Sequence, residues 1–392
     1  MKEIYNKKKI FFIITDYGSF NNFLSELSIK LSQLDFEIHV ITSREKIINI
    51  NDKYDYKLHN INFHYFEFPR NFNFKKHYEI SKKIHQKIHE IKPDLVSMHF
   101  TTGIFTTLLS GKLPYKTMGT FHGLGFPIID NLIKKFIFKT VELFCASRLD
   151  EVWLLNKTDY DILKNYFPKK TYLLPTNGLG CDLEIFNRNN FSTEKKNTLK
   201  KSLNIENHDF VITFTGRYVN FKGYHIVIKT FKILEEKYKL TNLKLIIMGG
   251  KDKIHPTGLS DAEEEYVIRN EKIIDIGFTK NVADYLAITD LFFFPSKKEG
   301  VPICIVEALS MSVPVITFNA RGCNDLIIDD FNGRTLDVIA GPEHFAKEIY
   351  NLYCNPQLLK KYMYNTFIDR KSLSRENFID YQLNSIINTN NV

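Results

Sequence analysis

The sequence predicts an α/β fold built from two doubly wound, Rossmann-like domains. Short apolar runs rich in β-branched and aromatic residues alternate with longer amphipathic stretches, which is typical of βαβ units and parallel sheets. This alternation begins again near residue 190. The 392 residues also exceed what one ordinary hydrophobic core holds, so we expect two domains facing a central cleft.

In the first domain, seven apolar runs are predicted to be strands. In chain order they are KIFFIIT (9–15), FEIHVIT (36–42), NFHYFEF (62–68), DLVSMHF (94–100), YKTMGTF (115–121), EVWLLN (151–156) and KTYLLP (170–175). Between the first two, the segment FNNFLSELSIKLSQL (20–34) repeats apolar residues at helical spacing. A helix along one face of the sheet is therefore expected there.

Five further runs predict the strands of the second domain. They are FVITFTGR (210–217), LKLIIMGG (243–250), KIIDIGF (272–278), LFFFPS (291–296) and VPVITF (313–318). The polar segment RNNFSTEKKNTLKK (188–201) has little apolar periodicity and is predicted to be the linker. The predicted domains are therefore 1–190 and 191–371, and a C-terminal helix at about 372–392 is expected to pack back on the first domain.

Composition favours a protein that works inside the cell. The chain is 44% hydrophobic and 25% charged, and its five cysteines form no CxxC pair, which predicts reduced thiols without zinc or a disulfide framework. The N-terminal run IFFIIT (10–15) is too short for a secretory signal, and no apolar run approaches the roughly 18 residues of a membrane-spanning helix. We expect a cytoplasmic protein, peripheral on the inner face of the cytoplasmic membrane.

The charge distribution points to an anionic partner for the first domain. The formal net charge is +8, and nearly all the excess of lysine and arginine lies in residues 1–180. A basic domain on an otherwise neutral protein suits an anionic surface, either phospholipid or nucleic acid. No nucleic-acid recognition motif is present, so no specific nucleic acid is predicted as a partner.

The segment SKKEGVPICIVEALS (296–310) has the most specific pattern of a binding site. It places Glu299 and Glu307 on either side of Gly300 and Pro302, directly after a predicted strand. Open α/β sheets bind ligands beyond the carboxyl ends of their strands. Pro302 suits the first turn of a helix, whose free N–H groups can hold phosphate. A carboxylate accepts two hydroxyl hydrogen bonds, so Glu307 can bind a ribose diol and Glu299 a sugar.

A second pattern, GRYVNFKG (216–223), closes the predicted strand at 210–217. Gly216 allows backbone to approach a ligand, while Arg217 and Lys222 provide two cations that suit a diphosphate. A strand that ends in glycine beside a surface arginine is also a common structural feature. This string alone therefore leaves both interpretations open.

Taken in order, these motifs resemble the retaining GT-B glycosyltransferases of family 4. The segment SKKEGVPICIVEALSMSVPVI (296–316) resembles the E-x7-E signature of that family, and GRYVNFKG, LIIMGG and RGCNDLIIDDFNGR stand around it in the family's order. In the first domain, TMGTFHGLGF (117–126) and LLPTNGLGCDLEIF (173–186) resemble its CapM-like branch, which builds capsule, O-antigen and other lipid-linked glycans. The resemblance extends over most of the chain and implies a GT-B fold.

The resemblance implies a role for each matching position. Arg217 and Lys222 should neutralise the donor diphosphate, Glu307 should bind the nucleotide ribose, and Glu299 should contact the donor sugar. The implied catalytic set is His122, Glu299, Arg217 and Lys222. The implied donor-binding set is Gly216, Arg217, Lys222, Glu299, Gly300, Val301, Pro302 and Glu307. On the acceptor side the expected residues are Gly18, Ser19, Phe121 and Gly123.

His122 is assigned by its motif, since it matches the active-site histidine that faces the donor sugar in the family. A lone histidine outside such a motif is more often structural. No metal is predicted, because Arg217, Lys222 and the helix N-terminus at 302–304 can stabilise negative charge on a departing diphosphate. The Asp-x-Asp string DYD (159–161) lies in a helical stretch and is predicted to be on the surface.

The predicted reaction moves a hexose or N-acetylhexosamine, with retention, from a UDP-sugar to a polyprenyl-diphosphate-linked glycan. No cofactor is expected, since the nucleotide sugar is itself a substrate. The acceptor should enter through the basic first domain at the inner leaflet. Segments 127–144 and 72–92 combine lysines with apolar residues and can lie on lipid. Helices beside a sheet also need an apolar face, so a core-facing role stays open for both.

Three other functions stay open on the sequence. A sugar-nucleotide epimerase of GT-B shape also needs a diphosphate site, but it needs no acceptor surface. A non-catalytic family member would bind glycan or stabilise an active partner, although Glu299, Glu307, Arg217, Lys222 and His122 are all present. Nonspecific nucleic-acid binding through the basic domain is the third, and lysine used simply for solubility would explain the charge without any partner.

Overall fold

A computed structural model describes residues 7–44, 52, 54–69, 73–175, 178–252 and 254–389 of the chain. The chain folds as two compact units. The first comprises Met1–Pro175 and Phe378–Val392, and the second comprises Thr176–Asn377. Each unit contains a parallel sheet with helices, so the predicted α/β class with two Rossmann-like domains is confirmed.

The sheet of the first unit has seven strands. They are β1 (Lys9–Ile13), β2 (Glu37–Thr42), β3 (Ile61–Tyr65), β4 (Leu95–His99), β5 (Lys116–Phe121), β6 (Glu151–Leu154) and β7 (Thr171–Leu173). All pairs are parallel, in the order β3-β2-β1-β4-β5-β6-β7. The adjacent residues Phe11 and Phe12 of β1 are both fully buried, as expected for a parallel strand covered on both faces.

Six helices follow these strands along the chain. They are α1 (Tyr17–Phe23), α2 (Ser25–Gln33), α3 (Phe74–Ile91), α4 (Phe100–Leu108), α5 (Leu132–Arg148) and α6 (Lys157–Lys164). The single helix expected over 20–34 is divided into α1 and α2, because Leu24 between them leaves the helical region at φ −122° and ψ −14°. A short 3₁₀ turn at Phe126–Ile128 precedes α5.

The sheet of the second unit has six parallel strands. They are β8 (Phe210–Tyr218), β9 (Leu243–Lys251), β10 (Ile273–Gly277), β11 (Leu291–Phe294), β12 (Val315–Phe318) and β13 (Gly333–Leu336). Their order is β10-β9-β8-β11-β12-β13. The sequence analysis did not predict β13, because the segment GRTL has no apolar run and only Gly333 in it is buried.

The helices of the second unit complete the α/β alternation. They are α7 (Thr193–Ser202), α8 (Tyr224–Glu236), α9 (Asp261–Arg269), α10 (Val282–Leu286), α11 (Ile303–Ser310), α12 (Pro342–Cys354) and α13 (Pro356–Asp369). The segment predicted as a linker, 188–201, instead forms a 3₁₀ turn and most of α7. Ser192 caps α7 by accepting a hydrogen bond from the Lys195 N–H at 3.1 Å. A polar helix with no buried residue therefore forms in place of the expected linker.

The unit boundaries differ from those predicted from the sequence. The first lies at 175/176 rather than 190/191, because the segment after it packs within the second unit, where Cys181 forms a β-bridge with Ser374. The last helix, α14 (Arg375–Thr389), continues from the second unit into the first at Phe378. Within the first unit, Lys30 and Asp380 form an ion pair at 3.0 Å.

Candidate functional site

Each sheet has one switch point at which the direction of strand succession reverses. It lies between β1 and β4 in the first unit and between β8 and β11 in the second. Ligands of open α/β sheets bind beyond the carboxyl ends of the strands at such points. The predicted donor residues follow β8 and β11, and His122 follows β5, the neighbour of β4. In each unit the predicted residues therefore stand near the position that the topology favours for a ligand.

Lys222 and Glu299, which follow β8 and β11, form an ion pair. Lys222 Nζ lies 2.5 Å from Glu299 Oε1, and Ser296 Oγ donates to the same oxygen at 2.6 Å. Glu299 is only 8% exposed, so its charge needs these partners. Since both bonds use Oε1, Oε2 is the oxygen left for a sugar hydroxyl. The sequence analysis gave these residues separate roles and did not foresee that they pair.

The loop from Glu299 to α11 is fixed by close backbone packing. Gly322 has φ +79°, and a Cβ there would overlap the carbonyl oxygen of Gly300. Pro302 is the N-cap of α11 rather than part of its first turn. The first N–H groups of α11, beginning with Ile303, have no acceptor within the helix. The positive end of α11 therefore follows the Glu299 loop directly, and an anionic group can bind there.

Glu307 lies in the middle of α11 and is only partly exposed. Among the described residues, its carboxylate has no hydrogen-bond or ion-pair partner. Burial raises the pKa of Glu307 to about 7. A carboxylate held away from water without donors costs free energy, which a ligand with two hydroxyl groups can offset. This geometry suits the ribose role that the sequence analysis expected.

Arg217, near the end of β8, is held by a carboxylate that the sequence analysis did not identify. Its Nη1 lies 2.5 Å from Asp252 Oδ2, and its side chain is 52% exposed. The guanidinium also lies over the ring of Phe221, 5.3 Å from its centre. The Ile254 N–H, together with Arg217, lowers the pKa of Asp252 to about 2. A diphosphate must therefore displace Asp252 or bind the remaining N–H groups of Arg217.

A cavity of about 450 Å³ opens beside Arg217, and its lining includes Gly216, Gly249 and Phe278. Gly216 and Gly249 face each other on β8 and β9, and a Cβ at Gly249 would overlap the Gly216 carbonyl. The ring of Phe278 is 85% exposed. An exposed aromatic ring beside a cavity suits the stacking of a nucleobase. No role was predicted for Phe278, although an aromatic residue directly after Gly277, at the end of a strand, could have indicated a stacking surface.

His122 follows the last residue of β5, and its ring contacts two phenylalanine rings that also contact each other. The ring-centre distances are 5.1 Å to Phe23 and 4.2 Å to Phe100. Its Nε2 lies 3.3 Å from Nδ1 of His99. Burial lowers the pKa of His122 to about 3, so the imidazole is neutral at pH 7. His122 can therefore exchange a hydrogen bond with a substrate but supplies no positive charge.

The backbone after His122 is held by the buried carboxylate of Glu142. The N–H groups of Gly125 and Phe126 donate to Glu142 at 2.8 and 3.2 Å, and Thr101 Oγ1 donates at 2.8 Å. Glu142 is 1% exposed, and burial raises its pKa. Three donors on one carboxylate fix the path of this loop, so Glu142 has a structural role here.

The prediction that the DYD string (159–161) lies on the surface is wrong for Asp159. This residue is fully buried and accepts the N–H of Leu124 at 2.9 Å and the side-chain amide of Asn156 at 2.9 Å. It thus fixes the same loop that Glu142 holds. Among the described residues, no group of three or more His, Cys, Asp or Glu side chains is arranged to hold a metal ion.

Gly123, one of the four residues expected on the acceptor side, lines a cavity. Gly123 borders a space of about 190 Å³, together with Phe138. Phe121 is fully buried, because β5 is buried on both faces in the core of the first unit. Ser19 donates both its N–H and its hydroxyl to Asp16, the N-cap of α1, at 2.9 and 2.8 Å. Gly18 is buried in the same turn. The acceptor contacts of Phe121, Ser19 and Gly18 stay predictions.

The start of α5 exposes a cluster of large apolar side chains. Their exposed fractions are 80% for Leu132, 73% for Ile133, 71% for Phe136 and 41% for Ile137. In the other predicted lipid-facing segment, Ile84 and Ile88 of α3 are fully buried. The core-facing alternative is therefore correct for these two α3 residues and wrong for the start of α5. No helix in the described ranges is both long and apolar enough to cross a membrane.

Two family models match the chain and together extend over most of it. Residues 195–368 match the family described as Glycosyl transferases group 1, and residues 9–153 match Glycosyl transferase 4-like. The first covers most of the second unit, and the other covers the sheet of the first unit from β1 to β6. The resemblance expected from the motifs is thereby confirmed.

Individual relatives agree with these families. The chain is 24% identical to the UDP-Gal:alpha-D-GlcNAc-diphosphoundecaprenol alpha-1,3-galactosyltransferase of Escherichia coli, over 69% of each protein. It is 27% identical to the capsular polysaccharide biosynthesis glycosyltransferase CapM of Staphylococcus aureus, spanning about half of each protein, 51% and 50%. The crystal structure of Anabaena HepE in complex with UDP and glucose superposes with a TM-score of 0.72 at 16% identity, over 97% of this chain and 100% of that one. The GT-B fold is thereby confirmed.

Proposed function

We propose that this chain, which belongs to the group 1 glycosyltransferases of the GT-B fold, moves a hexose or N-acetylhexosamine from a UDP-sugar to a polyprenyl-diphosphate-linked glycan. The observation that supports this most strongly is Glu307, a partly exposed carboxylate on the helix after β11 with no partner among the described residues. Other residues of the second unit supply what else a nucleotide sugar needs. Phe278 offers a surface for the base, Arg217 a cation for the diphosphate, and Glu299 an acceptor for sugar hydroxyls.

The leaving diphosphate gains negative charge as the anomeric bond breaks, and catalysis depends on stabilising that charge. Three groups of the second unit can do so: the Arg217 guanidinium, the Lys222 ammonium and the N-terminus of α11. Lys222 is paired with Glu299 and Arg217 with Asp252, so the N-terminus of α11 and the N–H groups of Arg217 that do not contact Asp252 supply the additional stabilisation. We propose that the transfer needs no metal ion and retains the anomeric configuration, as in the family that the motifs resemble.

The acceptor side of the proposal rests on the first unit. The cavity of about 190 Å³ beside Gly123 is lined by Phe138 and Val141 of α5. The same helix exposes Leu132 and Phe136 at its start, next to Lys134 and Lys135. Apolar and cationic side chains on one helix end suit the surface of an anionic bilayer. A lipid-linked acceptor held at that surface would have its sugar close to the cavity. The E. coli relative is named for such an acceptor.

Calorimetric titration of the purified chain with UDP-GlcNAc, UDP-GalNAc, UDP-Gal, UDP-Glc and GDP-mannose tests the donor site. We expect one UDP-sugar to bind with a dissociation constant of about 1 mM or lower, the range typical of enzyme substrates, and to bind equally well in EDTA. Binding to GDP-mannose alone would contradict the assignment of the nucleotide. Binding that disappears in EDTA would contradict the metal-independent site.

A further inference from the structure

Behind His122, a chain of buried polar groups connects β4 to the candidate site. Ser97 and His99 lie two residues apart on β4 and therefore on the same face of the sheet. Ser97 Oγ is 3.1 Å from His99 Nε2, and His99 Nδ1 is 3.3 Å from His122 Nε2. Ser97 and His99 are each only 2% exposed. The sequence analysis assigned no role to either residue.

The backbone around this chain is held in an uncommon conformation. Phe100, which follows His99, has φ +63°, a left-handed conformation that costs a non-glycine residue free energy. This turn places the Phe100 ring 4.2 Å from the centre of the His122 ring. The tilted Phe100 ring and the His99 contact together restrict the rotation of the His122 ring. Strain of this kind is found where surrounding structure enforces a functional geometry.

Both imidazoles are neutral, since burial lowers the pKa of His99 and of His122. Each ring therefore carries one proton, on either Nδ1 or Nε2. The contact between the rings allows two arrangements, because one of the two nitrogens must donate and the other must accept. In the first arrangement His99 Nδ1–H donates to His122. In the second, His122 Nε2–H donates to His99.

Ser97 decides between these arrangements. In the second one, His99 Nε2–H donates to Ser97 Oγ, and the hydroxyl hydrogen of Ser97 then needs another acceptor. Within the described residues His99 Nε2 is the hydrogen-bond partner of Ser97 Oγ, and the residue is too buried to use solvent. A buried hydroxyl without an acceptor is unfavourable, because it has lost its hydrogen bond to water and gained no other. The first arrangement gives a partner to Ser97 Oγ, to both nitrogens of His99 and to His122 Nε2. It leaves the Nδ1–H of the partly exposed His122 side chain for a substrate.

We propose that Ser97 and His99 are positioning residues that hold His122 in the Nδ1–H tautomer and so present an N–H donor to a substrate oxygen. Free histidine prefers the Nε2–H form, so the structure reverses the ordinary preference. His122 then acts as a hydrogen-bond donor to a hydroxyl or ring oxygen and takes up no proton. The tautomer follows from the first unit alone, whereas the substrate contact rests on the proposed transferase function.

Long-range ¹H–¹⁵N correlation spectra of the full chain labelled with ¹⁵N-histidine test the tautomer without any substrate. The chain has twelve histidines, and the signals missing from a His122→Asn variant assign His122. We expect a protonated Nδ1 and an unprotonated Nε2 at His122. A protonated Nε2 in the unmodified chain overturns the proposal.

Variants then test the roles of the two positioning residues. Ser97→Ala and His99→Leu should both shift His122 toward Nε2–H, while His99→Asn retains a donor near Nδ1 and should keep the wild-type form. Ser25→Ala removes another buried hydroxyl of the first unit, one that donates to Asn21 O, and should leave the His122 signals unchanged. An unchanged tautomer in folded Ser97→Ala overturns the role of Ser97.

Kinetics separate this proposal from the proposed function. With the sugar nucleotide that binds, kcat/KM of Ser97→Ala should fall about tenfold, because the loss of one hydrogen bond of about 1.4 kcal/mol changes a rate by that factor. His99→Asn should lose less activity than His99→Leu. Absence of any transferase activity in the wild type would contradict the function, yet the tautomer spectrum would still decide the positioning role. Wild-type kcat/KM in Ser97→Ala with a shifted tautomer would overturn the substrate contact.

Discussion

At the scale of single residues, Glu307 has the least favourable environment of the candidate donor residues. Its pKa of about 7 in the folded state lies above the ordinary 4.5, so the folded chain binds a proton more tightly than the unfolded chain. Between these two pH values the stability contributed by this group falls as the pH rises. Above pH 7, Glu307 is ionised in the folded and in the unfolded chain, and the full free-energy cost of holding the charge away from water lowers the stability of the fold.

We therefore predict that Glu307→Gln raises the free energy of unfolding at pH 8 by about 1–3 kcal/mol and has little effect below pH 4.5. Urea denaturation at both pH values measures this difference. Glu271→Gln is the control, because that side chain is exposed and has no ion pair among the described residues, so its replacement should be neutral at both pH values. A variant less stable than wild type at pH 8 would show that Glu307 has a stabilising partner in the folded chain.

The same substitution should weaken donor binding. The ionised carboxylate accepts both ribose hydroxyls, so we expect Glu307→Gln to lower UDP-sugar affinity about tenfold or more at pH 8. Wild-type affinity should fall as the pH drops below 7, and the variant should lack this dependence. Calorimetry with a UDP-sugar measures both, since its diphosphate has no titration of its own in this range. Unchanged affinity at pH 8 would remove Glu307 from the ribose site.

Phe278 offers a test of the nucleobase position. Replacing its exposed ring in Phe278→Ala should cost about 1–3 kcal/mol of nucleotide binding with no loss of stability, because the ring is 85% exposed. Ile268→Ala removes a side chain of similar exposure, 81%, from α9 and should change neither property. Equal binding by Phe278→Ala and wild type would place the base elsewhere.

Sequence reasoning identified residues with strong motifs and missed the partners that those residues find in the fold. Glu299 and Glu307 were predicted from residue type and spacing. The role of Arg217 was predicted only from the resemblance, because a surface arginine after a strand is also a common structural feature. Asp252 and Asp159 were not identified as partners, because the sequence alone does not distinguish an aspartate exposed to solvent from one that is buried. Phe121 was expected on the acceptor side, but it ends a strand that is buried on both faces, which its position in the motif does not reveal.

At the scale of elements, strands were easier to predict than helices or boundaries. Twelve of the strands coincide with apolar runs, whereas β13 has partners but no run of its own. The helix α7 was taken for a linker because it buries no residue, so it has no periodic apolar face. The opposite error concerns α5, where apolar residues that can fill a core are exposed in its first turns.

Helix α5 gives a prediction about lipid. The double variant Leu132→Ser/Phe136→Ser should bind vesicles of phosphatidylglycerol and phosphatidylcholine at least tenfold more weakly than wild type, because each large apolar side chain contributes about 1.5–3 kcal/mol when buried. Vesicle sedimentation measures this, and thermal unfolding should be unchanged since both residues are exposed. Ile339→Ser, which removes an 88% exposed side chain of the second unit, is the matched control. Equal losses in both variants would exclude a specific role for α5.

At the scale of the whole molecule, the two units divide the chemistry that a transferase needs. The second unit contains the cations, carboxylates and helix end that suit a nucleotide sugar, while the first contains the neutral His122 and the helix with exposed apolar residues. The GT-B class could be predicted because motif order and strand alternation agree over most of the chain. The donor sugar could not, because specificity depends on a few contacts that no motif encodes.

The most direct test of the central claim is transfer itself. The purified chain, in EDTA, is incubated with a radiolabelled UDP-sugar chosen by the binding panel and with undecaprenyl-diphosphate sugars in detergent, and the lipid fraction is counted. We expect label in the lipid product with an α linkage, and at least a hundredfold less with Glu299→Gln, because a buried catalytic contact contributes about 3 kcal/mol. Label that enters the lipid only when divalent metal is restored would contradict the metal-independent mechanism. Turnover of the donor into a stereoisomer, without any transfer to lipid, would contradict the transferase function.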